Sequence, residues 1–144
     1  QSPVEFRLGG TRRWLPGDSS DEIRDEYLSL LEEIATRHGV TARGEFQIAG
    51  EGFEIDEASP LVAAVQSAHS AVSGATLPIG AKPFVDDGNK FVHRAGIPAV
   101  THGPNAKGAH TVNEEVPIAE LERVASVYAL TAIEFCSGRN QPDA

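Results

Sequence analysis

The sequence predicts an α/β fold in which helices pack on a mixed β-sheet, and three observations lead to this prediction. Segments that alternate apolar and polar residues, typical of half-buried strands, occur in the first part of the chain. A short apolar segment at residues 97–101 is typical of a buried strand. Longer stretches with apolar residues at helical spacing, bounded by capping residues, lie between these segments.

The composition limits the class of protein. The chain has 144 residues, enough for one ordinary domain, and its 40% hydrophobic and 23% charged residues are typical of a globular protein. A net charge of -9 argues against a nucleic-acid binder, which normally carries a basic face. No apolar run of about 18 residues predicts a membrane span, and no signal peptide is recognisable. The single cysteine, Cys136, cannot form an intrachain disulfide, so we expect a reducing, cytoplasmic location.

The start of the sequence suggests processing. The chain contains no Met and begins with Gln1. Because translation starts with Met, we expect the chain to have been trimmed, processed or cut from something longer.

The first elements follow from alternation and capping. Residues 4–8, 40–48 and 53–56 alternate and are predicted as strands. Ser19 and Glu22 fit a capping box, which predicts a helix over residues 20–38. Acidic residues are concentrated in the first half of this helix, and Arg37 and His38 lie at its end, as the helix dipole favours. Gly39 is predicted to end the helix.

The remaining elements end in a long helix. Ser59 and Pro60 begin a helix that Gly74 ends; a short strand at 76–79, a loop at 80–88 and a short helix at 89–95 follow. Residues 117–136 form a helix that is apolar around most of its circumference and should be buried on several sides. The chain offers few elements to bury it, so we expect a neighbouring part of the core to be missing. Cys136 in this helix is expected to be inert packing.

One glycine-rich stretch carries the most chemistry. It follows the predicted strand at 97–101 and delivers His110 near the carboxyl end of that strand, where open α/β sheets bind ligands. A neutral imidazole is a good zinc ligand. By residue type alone, a loop histidine bonded to backbone is the commoner case. His102, at the end of the strand, is the alternative histidine for a pocket.

The same stretch resembles a known family. The matching motifs are Ala95-Gly96-Ile97-Pro98-Ala99-Val100, then Gly103-Pro104, then Gly108-Ala109-His110-Thr111-Val112-Asn113-Glu114. They resemble the C-terminal motif of the zinc amidohydrolase and metallopeptidase family, which includes acetylornithine deacetylase, succinyl-diaminopimelate desuccinylase, aminoacylase and glutamate carboxypeptidase. Residues 10–18 resemble the last third of its lid domain. The resemblance implies part of a ferredoxin-like, dimerising lid at 1–55, the C-terminal part of a phosphorylase/hydrolase-like catalytic domain at 56–137, and a flexible tail at 138–144.

The resemblance also implies roles for individual residues. His110 takes the position of a metal ligand. Arg13, three residues before Pro16, matches an arginine that helps to bind the substrate carboxylate, although Thr11 replaces the usual Asp of that motif. Asp87, Gly88 and Asn89 fall in a segment that opens a helix facing the substrate, and they could shape the pocket.

The other residues that the family's chemistry needs are not found in this sequence. A catalytic zinc takes about three protein ligands. No His here is followed two residues later by Asp, and the Glu32-Glu33 and Glu114-Glu115 pairs do not match the family's ligand and general-base pair in context. We therefore expect no catalytic residue in this chain itself.

These observations lead to one function and one alternative. The chain is expected to be a C-terminal fragment, inactive alone, of a zinc-dependent hydrolase of the deacetylase, desuccinylase or carboxypeptidase type. The complete enzyme would hold two metal ions, with cobalt or manganese possible, and cleave an amide bond of an N-acyl amino acid or small peptide. Its partners would be the missing N-terminal catalytic half, on the same or a separate polypeptide, and a second copy in a homodimer, with no nucleic acid or membrane. The alternative is a non-catalytic α/β binding or dimerisation module.

Overall fold

The computed structural model describes residues 4–82 and 86–137. Within them lie four helices: α1 (Ser20–His38), α2 (Pro60–Ser73), α3 (Gly88–Ala95) and α4 (Ile118–Cys136). The chain divides into two compact units, with the boundary between Phe53 and Glu54. Part of the predicted loop at 80–88, residues 83–85, and the predicted tail at 138–144 lie outside the described residues. Among the described helices, none has both the length and the apolar character that crossing a lipid bilayer requires.

The four predicted helices are confirmed, and their ends follow the capping residues. The Ser19 side chain accepts a hydrogen bond from the Glu22 N–H at the start of α1, as a capping box requires of its first residue. Gly39, Gly74 and Gly96 end α1, α2 and α3 with φ of 62°, 72° and 63°. Glycine adopts this left-handed conformation without the steric penalty of a Cβ atom, so each of the three helices ends at its predicted glycine.

The predicted mixed sheet is not confirmed. In the described residues none of the five segments predicted as strands is a strand, and the isolated bridge between Lys107 and Glu115 lies outside all five. The reason is physical: alternation shows which face of a segment suits burial, but a strand also needs a neighbour to complete its backbone hydrogen bonds. Val4, Phe6 and Leu8 alternate as a strand would, yet they are 82–106% exposed.

The apolar core of the second unit lies between α2 and α4. Every buried apolar side chain in the described residues belongs to one of these helices: Val62, Ala64, Ala68, Val124 and Val127. One face of α4 packs on α2, and Leu130 and Phe135 are half-buried. Ile118, Leu121 and Ile133 are 74%, 49% and 55% exposed, so the described residues bury α4 only in part, and a missing neighbour that covers the rest stays a prediction.

The first unit is held by aromatic contacts around Phe46. Its ring centroid lies 6.0 Å from that of Tyr27 on α1 and 6.2 Å from that of Trp14. The indole N–H of Trp14 donates to Glu51 at 2.9 Å, which satisfies the polar group of a part-buried indole. Trp14 therefore packs within the first unit. No residue of α1 is fully buried.

Because Val127 is fully buried between α2 and α4, Val127→Ala should lower the free energy of unfolding by about 2 kcal/mol. Urea denaturation of the second unit, followed by circular dichroism, measures this change. The matched control is Val112→Ala, since Val112 is fully exposed in the same unit. Equal effects of the two substitutions would contradict the packing described here.

Candidate functional site

An apolar cavity of about 640 Å³ opens beside the α2–α4 core. Its walls come from α2, the start of α3, the segment 97–102 and the last turns of α4. Most of the lining is aliphatic or aromatic, and the polar groups at its wall are few: Asp86, Thr101, His102, Tyr128, Thr131 and Cys136. An apolar cavity with a few polar groups is the usual form of a small-molecule site and equally of an incomplete core.

Asp86 forms hydrogen bonds with residues on two walls of this cavity. One of its carboxylate oxygens accepts the backbone N–H of Gly88 at 2.9 Å, and the other accepts the hydroxyl of Thr101. The start of α3 is thereby fixed to the end of the segment that the sequence predicts as a buried strand. Cys136, predicted as inert packing, is exposed at the end of α4, where it lies in the wall of this cavity.

A second cluster lies at the α2–α4 contact and joins His69, Arg123 and Glu120. The His69 ring is 93% buried, with Nδ1 2.8 Å from the carbonyl oxygen of Ala75 and Nε2 3.1 Å from a guanidinium nitrogen of Arg123. Arg123 also donates two hydrogen bonds to the Glu120 carboxylate, at 3.2 and 2.7 Å. The Arg123 guanidinium lowers the pKa of the Glu120 carboxyl, and Glu120 in turn raises the pKa of Arg123.

His102 sits between this cluster and the cavity. Its ring centroid lies 5.8 Å from that of His69 and 5.6 Å from that of Tyr128, edge to face in both cases. The Tyr128 hydroxyl donates to the His102 carbonyl oxygen. The ring atom Nδ1 is buried without a hydrogen-bond partner in the described residues. Burial is the main cause that lowers the pKa of His102, followed by the neighbouring His69 and the cations Arg123 and Lys82.

His110 lies in a closed loop that spans residues 107–115. Lys107 and Glu115 pair their backbones at the base of the loop, at 3.0 and 3.1 Å. His110 has φ of 64°, which makes it the one non-glycine residue with positive φ in the described chain. Its backbone N–H donates to the Glu114 carboxylate at 3.1 Å, and the residue is exposed. The loop therefore presents an exposed imidazole from a strained backbone position.

The predicted substrate residues lie in both units. Arg13 belongs to the first unit, and Asp87, Gly88 and Asn89 open α3 in the second. Asp87 pairs with Lys90 at 2.6 Å, and this contact lowers the pKa of its carboxyl. Gly88 lines the cavity, and Asn89 is 92% buried with its side-chain oxygen lacking a hydrogen-bond partner in the described residues. His110 is not part of the cavity wall.

The described residues do not complete a metal site by themselves. A catalytic zinc needs about three protein ligands, and no group of three or more His, Cys, Asp or Glu side chains close enough for a metal ion occurs in residues 4–82 and 86–137. His110 can supply one ligand at most.

Sequence reasoning missed the His69–Arg123 cluster. Glu120 and Arg123 stand three residues apart on one helix, a spacing that favours an ion pair and could have been noticed. His69 lies on an apolar helix 54 positions away from Arg123, and nothing in the sequence predicts that these two residues meet.

Comparison with known proteins identifies the family. Residues 8–134 match the peptidase family M20/M25/M40. The chain belongs to this family. The match confirms the resemblance carried by the motifs around His110, and membership indicates an α/β fold of the kind found in hydrolases.

Individual relatives are similar at modest identity. The chain is 31% identical to a succinyl-diaminopimelate desuccinylase of Alkalilimnicola ehrlichii over 141 residues, which cover 88% of this chain and 37% of the relative. It is 33% identical to an N-formyl-4-amino-5-aminomethyl-2-methylpyrimidine deformylase of Bacillus subtilis over an alignment of 154 positions, which covers 95% of this chain and 35% of the relative. No solved structure matches the chain significantly. The chain thus spans about a third of the length of these curated relatives.

The lowered pKa of His102 predicts a pH dependence of stability. An unfolded chain protonates this histidine near its ordinary pKa of about 6.5, whereas the folded chain keeps it neutral to a lower pH. The folded state should therefore lose stability as the pH falls below about 6.5. Thermal melts between pH 5 and 8 measure the effect.

His102→Gln should reduce this pH dependence. His38→Gln, at the exposed end of α1, is the matched control and should retain it. If the melting temperature of His102→Gln fell with pH as steeply as that of the original chain, His102 would not be the cause of the pH dependence.

Proposed function

We propose that the chain is the C-terminal part of a metal-dependent amidohydrolase, whose complete form cleaves an amide bond of an N-acyl amino acid or small peptide. The observation that carries the proposal is the family match over residues 8–134. The relatives named above, a desuccinylase and a deformylase, support removal of an acyl group from a small molecule. A chain that spans about a third of those relatives supports the view that further segments complete the enzyme.

The metal of the complete enzyme would be zinc, with cobalt or manganese as alternatives, and His110 would supply one ligand. Its exposure and its fixed backbone suit an imidazole that binds a metal together with ligands from elsewhere. Because the described residues form no group of three ligands, the remaining ligands and the general base are assigned to the missing N-terminal half. A bound zinc would supply Lewis-acid chemistry.

The chain's own residues would bind and orient the substrate. The planar guanidinium of Arg13 suits a substrate carboxylate, which it can bind with two parallel hydrogen bonds. The first turn of α3, with Asp87, Gly88 and Asn89, would shape the pocket. The buried oxygen of Asn89, which has no partner among the described residues, offers an acceptor for a substrate N–H.

The division of the chain into two units supports a lid and a catalytic part. The division between Phe53 and Glu54 agrees with a partial lid at 1–55 and a catalytic portion at 56–137. The exposed apolar residues Val4, Phe6 and Leu8 suit an edge that a second copy would cover in a homodimer. A single, exposed, free Cys136 suits a reducing compartment such as the cytoplasm.

The chain alone should not hydrolyse N-acetyl or N-succinyl amino acids, because residues 4–82 and 86–137 hold no full set of metal ligands. Purified chain with added zinc, assayed for release of free amine, tests this. Hydrolysis that EDTA abolishes would contradict the prediction that the chain alone is inactive. A cooperative melt that zinc does not shift, in a protein whose longer form is also inactive, would favour the binding or dimerisation module.

In the complete protein, His110→Ala should lower the bound metal by about one ion per chain and reduce kcat by at least about a hundredfold. Metal analysis after gel filtration and steady-state kinetics measure both. His38→Ala, an exposed histidine at the end of α1, is the control. Full metal content in His110→Ala would show that His110 is not a metal ligand.

Arg13→Ala in the complete protein should raise KM for an N-acyl amino acid by about 10- to 100-fold, the effect of losing a charge-assisted pair. The amide analogue, which lacks the substrate carboxylate, should show no such increase. Arg43→Ala, an exposed arginine in the same unit, is the control. An equal increase for both substrates would contradict carboxylate binding by Arg13.

A further inference from the structure

The side chain of Trp14 joins two distant segments of the first unit. Its indole N–H donates to the Glu51 carboxylate at 2.9 Å, across 37 positions of sequence. Its ring centroid lies 6.2 Å from that of Phe46, and the two ring planes are tilted by 32°. A hydrogen bond to an ionised acceptor is stronger than one between neutral groups, and this one is partly sheltered from water. Trp14, which directly follows Arg13, is therefore held by one polar and one aromatic contact.

Gly52 lets the two segments approach closely. A Cβ atom at this position would lie 2.9 Å from the Pro16 backbone nitrogen and 3.2 Å from the carbonyl carbon of Leu15. Both distances are shorter than ordinary van der Waals contact, and backbone atoms cannot move aside as the end of a flexible side chain can. Any residue larger than glycine would therefore push residues 15–16 away from residue 52.

A tight turn fixes the same segment from its other end. The Asp18 N–H donates to the Leu15 carbonyl oxygen at 3.2 Å, and the Asp18 carboxylate accepts the Leu15 N–H, also at 3.2 Å. Gly17 has φ of 94°, which glycine adopts without steric cost. Both backbone polar groups of Leu15 are thus bonded within the turn, so residues 14–18 are fixed by local and long-range contacts together.

The contact on the other side of Arg13 is weaker. Arg12 pairs with Glu26 on α1 at 3.3 Å, but the two side chains are 59% and 66% exposed. Exposed ion pairs contribute little to stability, because water and salt screen them and two long side chains must be ordered. Of the two segments that flank Arg13, the one that follows it is therefore the more firmly held.

We propose that Glu51 and Gly52 are positioning residues: they fix residues 14–16 and thereby the point on the backbone from which Arg13 reaches a substrate carboxylate. Glu51 acts through the indole N–H of Trp14, and Gly52 acts by permitting the close approach of the two backbones. Two parallel N–H···O bonds need an aligned guanidinium, so a shift of its backbone weakens them. The effect on substrate rests on the proposed function, whereas the contacts themselves do not.

The fluorescence of Trp14 tests the contact in the chain itself, without metal or substrate, because Trp14 is its only tryptophan. Glu51→Leu removes the acceptor of the indole N–H and should raise the quenching of this fluorescence by acrylamide about twofold. Glu51→Gln retains an acceptor oxygen and should restore most of the protection. Glu32→Leu, at an exposed glutamate of α1 in the same unit, is the control. Equal quenching in Glu51→Leu and Glu32→Leu would overturn the proposal.

Steady-state kinetics of the complete protein separate positioning from a general loss of structure. Glu51→Leu and Gly52→Ala should each raise KM for an N-acyl amino acid by about tenfold and leave kcat within about twofold. KM for the amide analogue, which lacks the substrate carboxylate, should not rise. Because both residues act through Arg13, the double variant Glu51→Leu/Arg13→Ala should have the KM of Arg13→Ala alone. Additive effects, or an equal rise for both substrates, would overturn the proposal.

The positioning role and the proposed function can fail separately. If Arg13→Ala raises KM but Glu51→Leu and Gly52→Ala do not, the positioning role fails and carboxylate binding by Arg13 stands. If Glu51→Leu exposes Trp14 but Arg13→Ala leaves KM unchanged, the contacts stand as structure only, and the positioning role fails together with the proposed carboxylate binding.

Discussion

The packing of α2 on α4 is the contact on which the second unit depends. It contains every buried apolar side chain in the described residues, and it brings His69 to Arg123 across 54 positions of sequence. Small residues on α2, Ala64 and Ala68, let the two helices approach closely. The polar cluster is built on residues next to this apolar contact, since His69 follows Ala68 and Arg123 precedes Val124.

Helices were predictable from the sequence because their signals are local. Ser19 and Gly39 fix the ends of α1 through contacts within four residues, and Gly74 and Gly96 end the next two helices in the same way. Strand pairing is different, since it depends on segments distant in sequence. Residues 97–101 have a strand-like composition, but in the described chain no neighbouring strand completes their hydrogen bonds. A local pattern of apolar residues indicates which segments suit burial, but it carries no information on the partner strand.

The candidate site likewise contains features with a local sequence signal and features that depend on contacts between distant residues. His110 stands out in the sequence because its neighbours carry the family's motif, and residues 8–134 match that family; its role as a metal ligand stays a prediction. The cluster of His69, Arg123 and Glu120 was not predictable, because an ion pair at helical spacing and a histidine on an apolar helix are both common in ordinary cores. Only the packed structure shows that the two features share one guanidinium group.

The backbone of His110 links the loop's geometry to its role. A non-glycine residue in the left-handed region costs on the order of 1 kcal/mol or more, so other contacts must hold it there. The Glu114 carboxylate accepts the His110 N–H, and Thr111 donates both its N–H and its hydroxyl to the Gly108 carbonyl oxygen, at 3.0 and 2.7 Å. These bonds offset the strain without using the imidazole. The imidazole takes no part in these hydrogen bonds, which suits its proposed role as a metal ligand.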